Sequence, residues 1–111
     1  MDSLDVQQPW LGYVANGEKI VEGRLWNPKY ISWIGQVVRF YWDDDNVYVR
    51  VLGVRQYTTL KEYLYGESLN VLPGVGSYKE AEKIYHTFYT DARIKERGGI
   101  AAITIQVVSQ A

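Results

Sequence analysis

The sequence predicts an α+β fold, a small, mostly antiparallel β-barrel with helices packed at one side. Three observations predict it. Strand-like segments outnumber helical ones, and the long strands over residues 37–42 and 47–57 are hairpin neighbours. One helical stretch interrupts the strands early, and the other helices cluster before a single last strand, which is not the alternation a doubly wound parallel sheet requires. A chain of 111 residues, 47% hydrophobic and 23% charged, suits one domain over residues 1–111 and excludes general disorder.

Each element has a local reason. Residues 1–6 alternate weakly and suit a first strand. Pro9 suits the first turn of a helix, and Trp10, Leu11, Tyr13 and Val14 follow on one broad face. Asn16-Gly17 ends that helix, since both residue types tolerate positive φ. Residues 19–26 read as a strand, with Ile20, Glu22, Arg24 and Trp26 on one face and Val21 and Leu25 on the other. Asn27-Pro28 opens a loop that runs to Gly35. The two long strands join through Asp43-Asp44-Asp45-Asn46, whose side chains suit a solvated turn better than a divalent metal site. Gly53 interrupts the second strand and suggests a bulge or bend. Thr59-Leu60-Lys61-Glu62 has capping-box form and begins a short helix ending near Gly66. Ser77-Tyr78-Lys79-Glu80 is a second capping box, and its helix places Ala81, Ile84, Tyr85 and Phe88 on one face. Residues 93–97 are a basic, exposed segment. Gly98-Gly99 turns the chain into a last strand in which Ile103, Ile105 and Val107 alternate inward.

Composition excludes several kinds of chemistry. Without Cys there is no disulfide, thiolate metal site or Cys nucleophile, and His86 alone cannot form a multi-His zinc site, so neither metal nor cofactor is expected. Net charge is −1, from 12 Lys and Arg against 13 Asp and Glu. A protein that tracks a long nucleic-acid backbone neutralises phosphates and carries a basic excess. Here any nucleic-acid role rests on a local patch or on one nucleotide in a cleft. No apolar run reaches the about 20 residues of a membrane span, and the acidic start has no signal-peptide core. A cytoplasmic protein away from membranes is expected. The 10 Tyr and 4 Trp combine apolar bodies with polar tips, which suits both a barrel core and the walls of a cleft.

The chemistry-bearing constellation is Gly17-Glu18-Lys19-Ile20-Val21-Glu22-Gly23-Arg24. Arg24 could grip a phosphate or carboxylate in two places. Lys19 could hold an anion, or act as a base if desolvated. Glu22 could accept a proton from a base amine or activate water. A surface ion-pair cluster is the competing reading. Trp26 continues the Glu22–Arg24 face as a stacking candidate, Arg55 and Tyr57 share a face that could reach the cleft, and Tyr85 and Tyr89 lie four apart on a helix. Arg93, Lys95 and Arg97 read as a solvated helix end, and His86 as a helix-surface residue. Since exposed ion pairs add little stability, Lys19, Glu22 and Arg24 are expected to serve a ligand and to contribute little to folding.

This stretch is similar to the G-x-K-x-x-E-x-R signature of the ASCH domain, a branch of the PUA-like β-barrel superfamily. Ile34-Gly35-Gln36-Val37-Val38-Arg39-Phe40, Tyr57-Thr58-Thr59-Leu60, Leu72-Pro73-Gly74, Ser77 to Ala81, Tyr85 to Tyr89 and Gly99 to Ile103 resemble further family segments in the family's order, over residues 13–108. The resemblance implies a cleft between barrel and helices that binds RNA or a nucleoside, in roles around translation or RNA metabolism. One bacterial branch hydrolyses N4-acetylcytidine with the signature Lys, a Thr three residues later and a Glu further on. Lys19 matches the Lys, Glu22 stands at the Thr position, and Glu67 is the candidate for the later Glu. Enzyme and pure binding module both stay open, as does a ribonuclease. A protein partner on the aromatic surface, and either a monomer or a homodimer, are compatible with the sequence.

Overall fold

The computed structural model describes residues 1–109, so residues 110 and 111 of the expected domain lie outside the described residues. Strands β1 (Ser3–Asp5), β2 (Val21–Leu25), β3 (Val37–Trp42), β4 (Asp45–Tyr57) and β5 (Ile100–Ser109) form a five-stranded sheet in the order β1-β3-β4-β5-β2. Helices α1 (Trp10–Ala15), α2 (Leu60–Glu67), α3 (Tyr78–His86) and α4 (Asp91–Arg97) fill the connections. The fold is α+β, and the sheet curls into a half-barrel with helices alongside. No helix among the described residues is long and apolar enough to cross a membrane.

Alternation along the strands divides the interior in two. On β5, Ala101, Ile103 and Ile105 face the barrel core with Val38, Phe40, Val49 and Val51. Ile100 and Ala102 face the helices, packing with Leu60, Tyr63, Leu64, Ala81 and Tyr85. The register of β4 on β5 shifts between Val51 and Gly53, which is the bulge Gly53 suggests. The extra residue moves the barrel-facing set of β4 from Val47, Val49 and Val51 to Val54. Helix starts are capped as the sequence indicates. Thr59 and Ser77 hydroxyls accept from the Glu62 and Glu80 amides at 3.1 and 3.2 Å. The two Glu side chains reach one residue further back than a capping box requires, to the Thr58 and Gly76 amides.

The structure corrects several local expectations. The first strand pairs with β3 in parallel, the one parallel pair among the described strands. Pro9 stands at the N-cap of α1, one residue ahead of the first turn. The 27–35 loop contains a 3-10 helix, Pro28–Trp33, started by the Asn27 side chain accepting from the Lys29 amide. The hairpin turn is only Asp43-Asp44, because Asp45 and Asn46 already pair in β4. The basic 93–97 segment is the exposed end of α4, as the sequence suggests, with Ile94 alone among these residues buried. Phe88 lies past the end of α3 and is 47% exposed, so it does not extend that helix's buried face.

Gly17 takes φ +83° between α1 and β2, with open space where a Cβ would stand. Its cost to a side chain is therefore conformational. Gly17→Val should destabilise the fold by ~1–2 kcal/mol, measured by chemical denaturation; an unchanged midpoint would contradict the assignment.

Candidate functional site

The sheet's two edge strands, β1 and β2, are not joined by backbone ladder bonds; a chain of charges spans the gap between them. Lys19 precedes β2 and is 1% exposed, and Glu22 is 6% exposed. The Lys19 ammonium donates to the Val21 carbonyl at 2.7 Å and to the Val71 carbonyl, and lies 3.4 Å from Glu22 Oε1. Those three acceptors use its three protons. Glu22 Oε2 accepts from Arg24 Nε at 3.0 Å, with Arg24 Nη2 2.9 Å away. The guanidinium continues to β1, donating from Nη1 to Asp5 Oδ1 at 3.3 Å and from Nη2 to the Asp5 carbonyl.

Burial sets the electrostatics. Desolvation pulls the Lys19 ammonium below the ordinary lysine range, and Glu22 only partly opposes it. Burial would lower Arg24 too, but Glu22, Tyr89 and Asp5 together outweigh it and hold the guanidinium firmly charged. Two cations and two carboxylates meet here, so the formal charge of the chain Lys19–Glu22–Arg24–Asp5 is zero.

A cleft of about 550 Å³, mouth included, opens over this chain. Asp5, Gln7 and Trp10 form one wall, Lys19, Glu22, Gly23 and Arg24 the floor, and Ile84, Tyr85, Phe88 and Tyr89 the other wall. Gly23 is there for space. A Cβ at this position would stand 2.4 Å from the Tyr63 hydroxyl oxygen and 3.0 Å from that of Tyr85. Those hydroxyls bond each other at 2.7 Å. Burial raises the phenols of Tyr63, Tyr85 and Tyr89 above the ordinary tyrosine value.

Of the residues singled out in the sequence, Lys19, Glu22, Arg24, Tyr85 and Tyr89 come together. Tyr89 does so from beyond the end of α3, its amide bonded to the Tyr85 carbonyl at 2.8 Å. Trp26 does not line this cleft: β2 ends at Leu25, and the indole packs on the barrel core and beside Gly98. Arg55 and Tyr57 do not line it either. Beyond the bulge their face turns to the helices, where both bind Glu67 at the end of α2. Arg55 Nε and Nη2 each donate to its carboxylate at 2.7 Å, and the Tyr57 hydroxyl donates as well. Glu67 therefore belongs to this second cluster, away from Lys19. His86 pairs with Asp91 at 2.8 Å, also outside the cleft. Asp5, Gln7, Trp10, Gly23 and Phe88 were not among the sequence candidates. Only the aromatic after Pro9 offered a signal.

Lys19 and Glu22, expected with Arg24 to be dispensable for folding, are buried, and Arg24 is half-buried, which reverses that expectation. Glu22→Ala would strand the Lys19 ammonium in the interior, and Lys19→Ala would leave two carbonyls unpaired. Each should cost ~3–5 kcal/mol of stability, read by urea denaturation; a loss below ~1 kcal/mol would mean the network is solvated. A second prediction concerns Glu67. Hydrogen bonds from Arg55 first, then Tyr57, outweigh its partial burial and hold its carboxyl below the ordinary value of 4.5. A depressed carboxyl gives stability that is present above that value and is lost as pH falls through the folded-state pKa. Glu67→Gln should remove this component, so its denaturation midpoint should fall less than the wild type's between pH 6 and 3.

The family model for the ASCH domain matches residues 4–107. The crystal structure of hypothetical protein PH0355 is similar at 35% identity and a TM-score of 0.83, over 96% of this chain and 97% of that one. The solution structure of protein PF0455 from Pyrococcus furiosus is similar at 33% identity and 0.76, over 97% of both chains. The S128A mutant of ZmASCH from Zymomonas mobilis shares the fold at 10% identity and 0.54, over 97% of this chain and 67% of that one. No curated protein matches the chain. With its half-barrel, its signature residues and the family model in agreement, the chain belongs to the ASCH domain family.

Proposed function

We propose that this ASCH domain, residues 1–111 acting as one unit, binds a nucleobase of RNA or of a free nucleoside in the cleft over Lys19, Glu22 and Arg24, in a role within RNA metabolism or translation. The observation that carries the reading is the cleft's combination of a charge-neutral polar floor with aromatic walls. A floor whose charges cancel gives little attraction to a phosphate chain and suits a neutral, hydrogen-bonding ring. Trp10, Tyr85, Phe88 and Tyr89 supply flat apolar surface for that ring. Arg24 has five N–H groups and spends four of them on Glu22 and Asp5, which leaves one Nη1 proton for a ligand.

A second reading has a specific observation behind it. Burial lowers the Lys19 ammonium, the direction an amidohydrolase base needs. Glu22 stands where the N4-acetylcytidine-hydrolysing branch has its hydroxyl, and Glu67 lies outside the cleft, so this reading lacks a nucleophile. The ribonuclease reading lacks a His pair, since His86 is alone in the sequence and bound to Asp91.

Calorimetric titration with uridine, cytidine, adenosine and guanosine tests the binding reading. At least one should bind, and Phe88→Ala, an exposed position, should weaken it about tenfold or more through lost stacking while leaving the melting temperature within a few degrees. For a short single-stranded RNA, each phosphate contact adds roughly −0.7 to the slope of log affinity against log salt. A slope implying more than about four contacts would contradict a base-centred site. Release of acetate from N4-acetylcytidine by the wild type would favour the hydrolase, and its appearance only in Glu22→Thr would show a shared pocket with a changed role.

A further inference from the structure

Tyr63 is fully buried, and its hydroxyl has one hydrogen-bond partner among the described residues, the hydroxyl of Tyr85 at 2.7 Å. Two phenols that face each other share one bond: one donates, and the proton of the other must go elsewhere. Burial holds both phenols protonated, so both protons have to be placed.

The two hydroxyls have different surroundings. Tyr63 is enclosed edge-on by the rings of Tyr57 and Tyr85, with centroids 6.0 and 5.4 Å away, and by the backbone at Gly23. Among the described residues, the Tyr63 hydroxyl makes no hydrogen bond to any of these besides that to the Tyr85 hydroxyl. Tyr85 lines the cleft and Tyr63 does not. If Tyr85 were the donor, the Tyr63 proton would be stranded in the interior, a state native proteins rarely carry. With Tyr63 as donor, its proton is bonded and the Tyr85 proton turns outward. Among the described residues the Tyr85 hydroxyl has no other hydrogen-bond partner, the nearby Glu22 carboxylate included.

We infer that Tyr63 fixes Tyr85 as a hydrogen-bond donor toward the cleft, so that the site selects a ligand atom that accepts, a carbonyl oxygen or an unprotonated ring nitrogen, over an amino group. Tyr63 is a positioning residue, acting on the ligand only through Tyr85. The proton direction follows from the protein alone; that the accepting atom belongs to a nucleobase rests on the function proposed above.

Two single-hydroxyl deletions test the direction without ligand. Tyr85→Phe removes the sole acceptor and strands the Tyr63 proton. Tyr63→Phe leaves the Tyr85 hydroxyl facing the cleft. Tyr85→Phe should therefore lower the melting temperature by about 5 °C or more beyond Tyr63→Phe, and the double variant should regain part of that loss. Equal losses, or a larger loss in Tyr63→Phe, would overturn the inference; failure of Tyr85→Phe alone to fold is the expected asymmetry in extreme form. The second arm measures uridine against 2-thiouridine and 4-thiouridine, since sulfur accepts hydrogen bonds poorly. One thio analogue should bind the wild type about tenfold more weakly. That difference should vanish in Tyr85→Phe and shrink in Tyr63→Phe, a change in selectivity that lost packing alone would not give. Uridine binding with no thio penalty would overturn the selection of an acceptor. If the melting asymmetry holds and no nucleoside binds, the proton direction stands and the nucleobase reading fails.

Discussion

The buried ion pair of Lys19 and Glu22 constrains everything around it. An ammonium 1% exposed must have every proton accepted, and the chain supplies the acceptors from three places: the start of β2, Glu22 within it, and the Val71 carbonyl at the end of the 3-10 turn Leu69–Val71. This pins the segment after α2 against β2. Glu22 then needs a second cation on its far oxygen, and Arg24 supplies it. Arg24 in turn reaches Asp5 on β1. One charge thus ties together two sheet edges and a helical connection, and the sheet stays a half-barrel whose seam is closed by side chains rather than by a ladder. Such a seam leaves room, and the cleft occupies it.

The same network sets what the cleft can do. Free cations at a cleft floor would attract phosphate strongly and with little discrimination. Paired as they are, Lys19 and Arg24 serve as rigid geometry, holding Glu22 and the β2 backbone in place beneath the aromatic walls. On the function proposed above, discrimination falls to the polar tips around the opening, the Tyr85 and Tyr89 hydroxyls, the Trp10 indole and the Gln7 amide. Such a site would recognise the edge of a ring, with affinity from stacking and a few oriented hydrogen bonds. The near-neutral charge of the whole chain is consistent with the same division of labour.

Much of the fold was legible because its signals are local. Thr59 and Ser77 announced their helices, Gly53 its bulge, and the alternation of Ile103, Ile105 and Val107 its strand. Partner choice is not local. Nothing in Ser3–Asp5 says that it will pair in parallel with β3, or that Asp5 will meet an arginine 19 positions on. The site shows the same split. Spacing put Glu22 and Arg24 on one face, but parity assigns a face and not a depth, so the burial of Lys19 was invisible. Parity also fails where a strand ends or bulges. Trp26 lies one residue past β2, and Arg55 and Tyr57 lie past the bulge, so extrapolating their faces placed all three in the wrong neighbourhood. Gly23, between two charged signature residues, reads as filler until the Tyr63 and Tyr85 hydroxyls are found in the space a Cβ would take.

The central claim is that a neutral ring sits between the aromatic walls, over a network that serves as scaffold. A nitrogen–proton correlation spectrum of the labelled protein, recorded while uridine and cytidine are titrated in, tests it most directly. The account predicts that the largest shifts fall on the Trp10 indole N–H and on the amides of Gly23, Phe88 and Tyr89, saturating together. Shifts confined to Arg93–Arg97 of α4, or to the Arg55–Glu67 cluster, with the Trp10 indole unmoved, would contradict it.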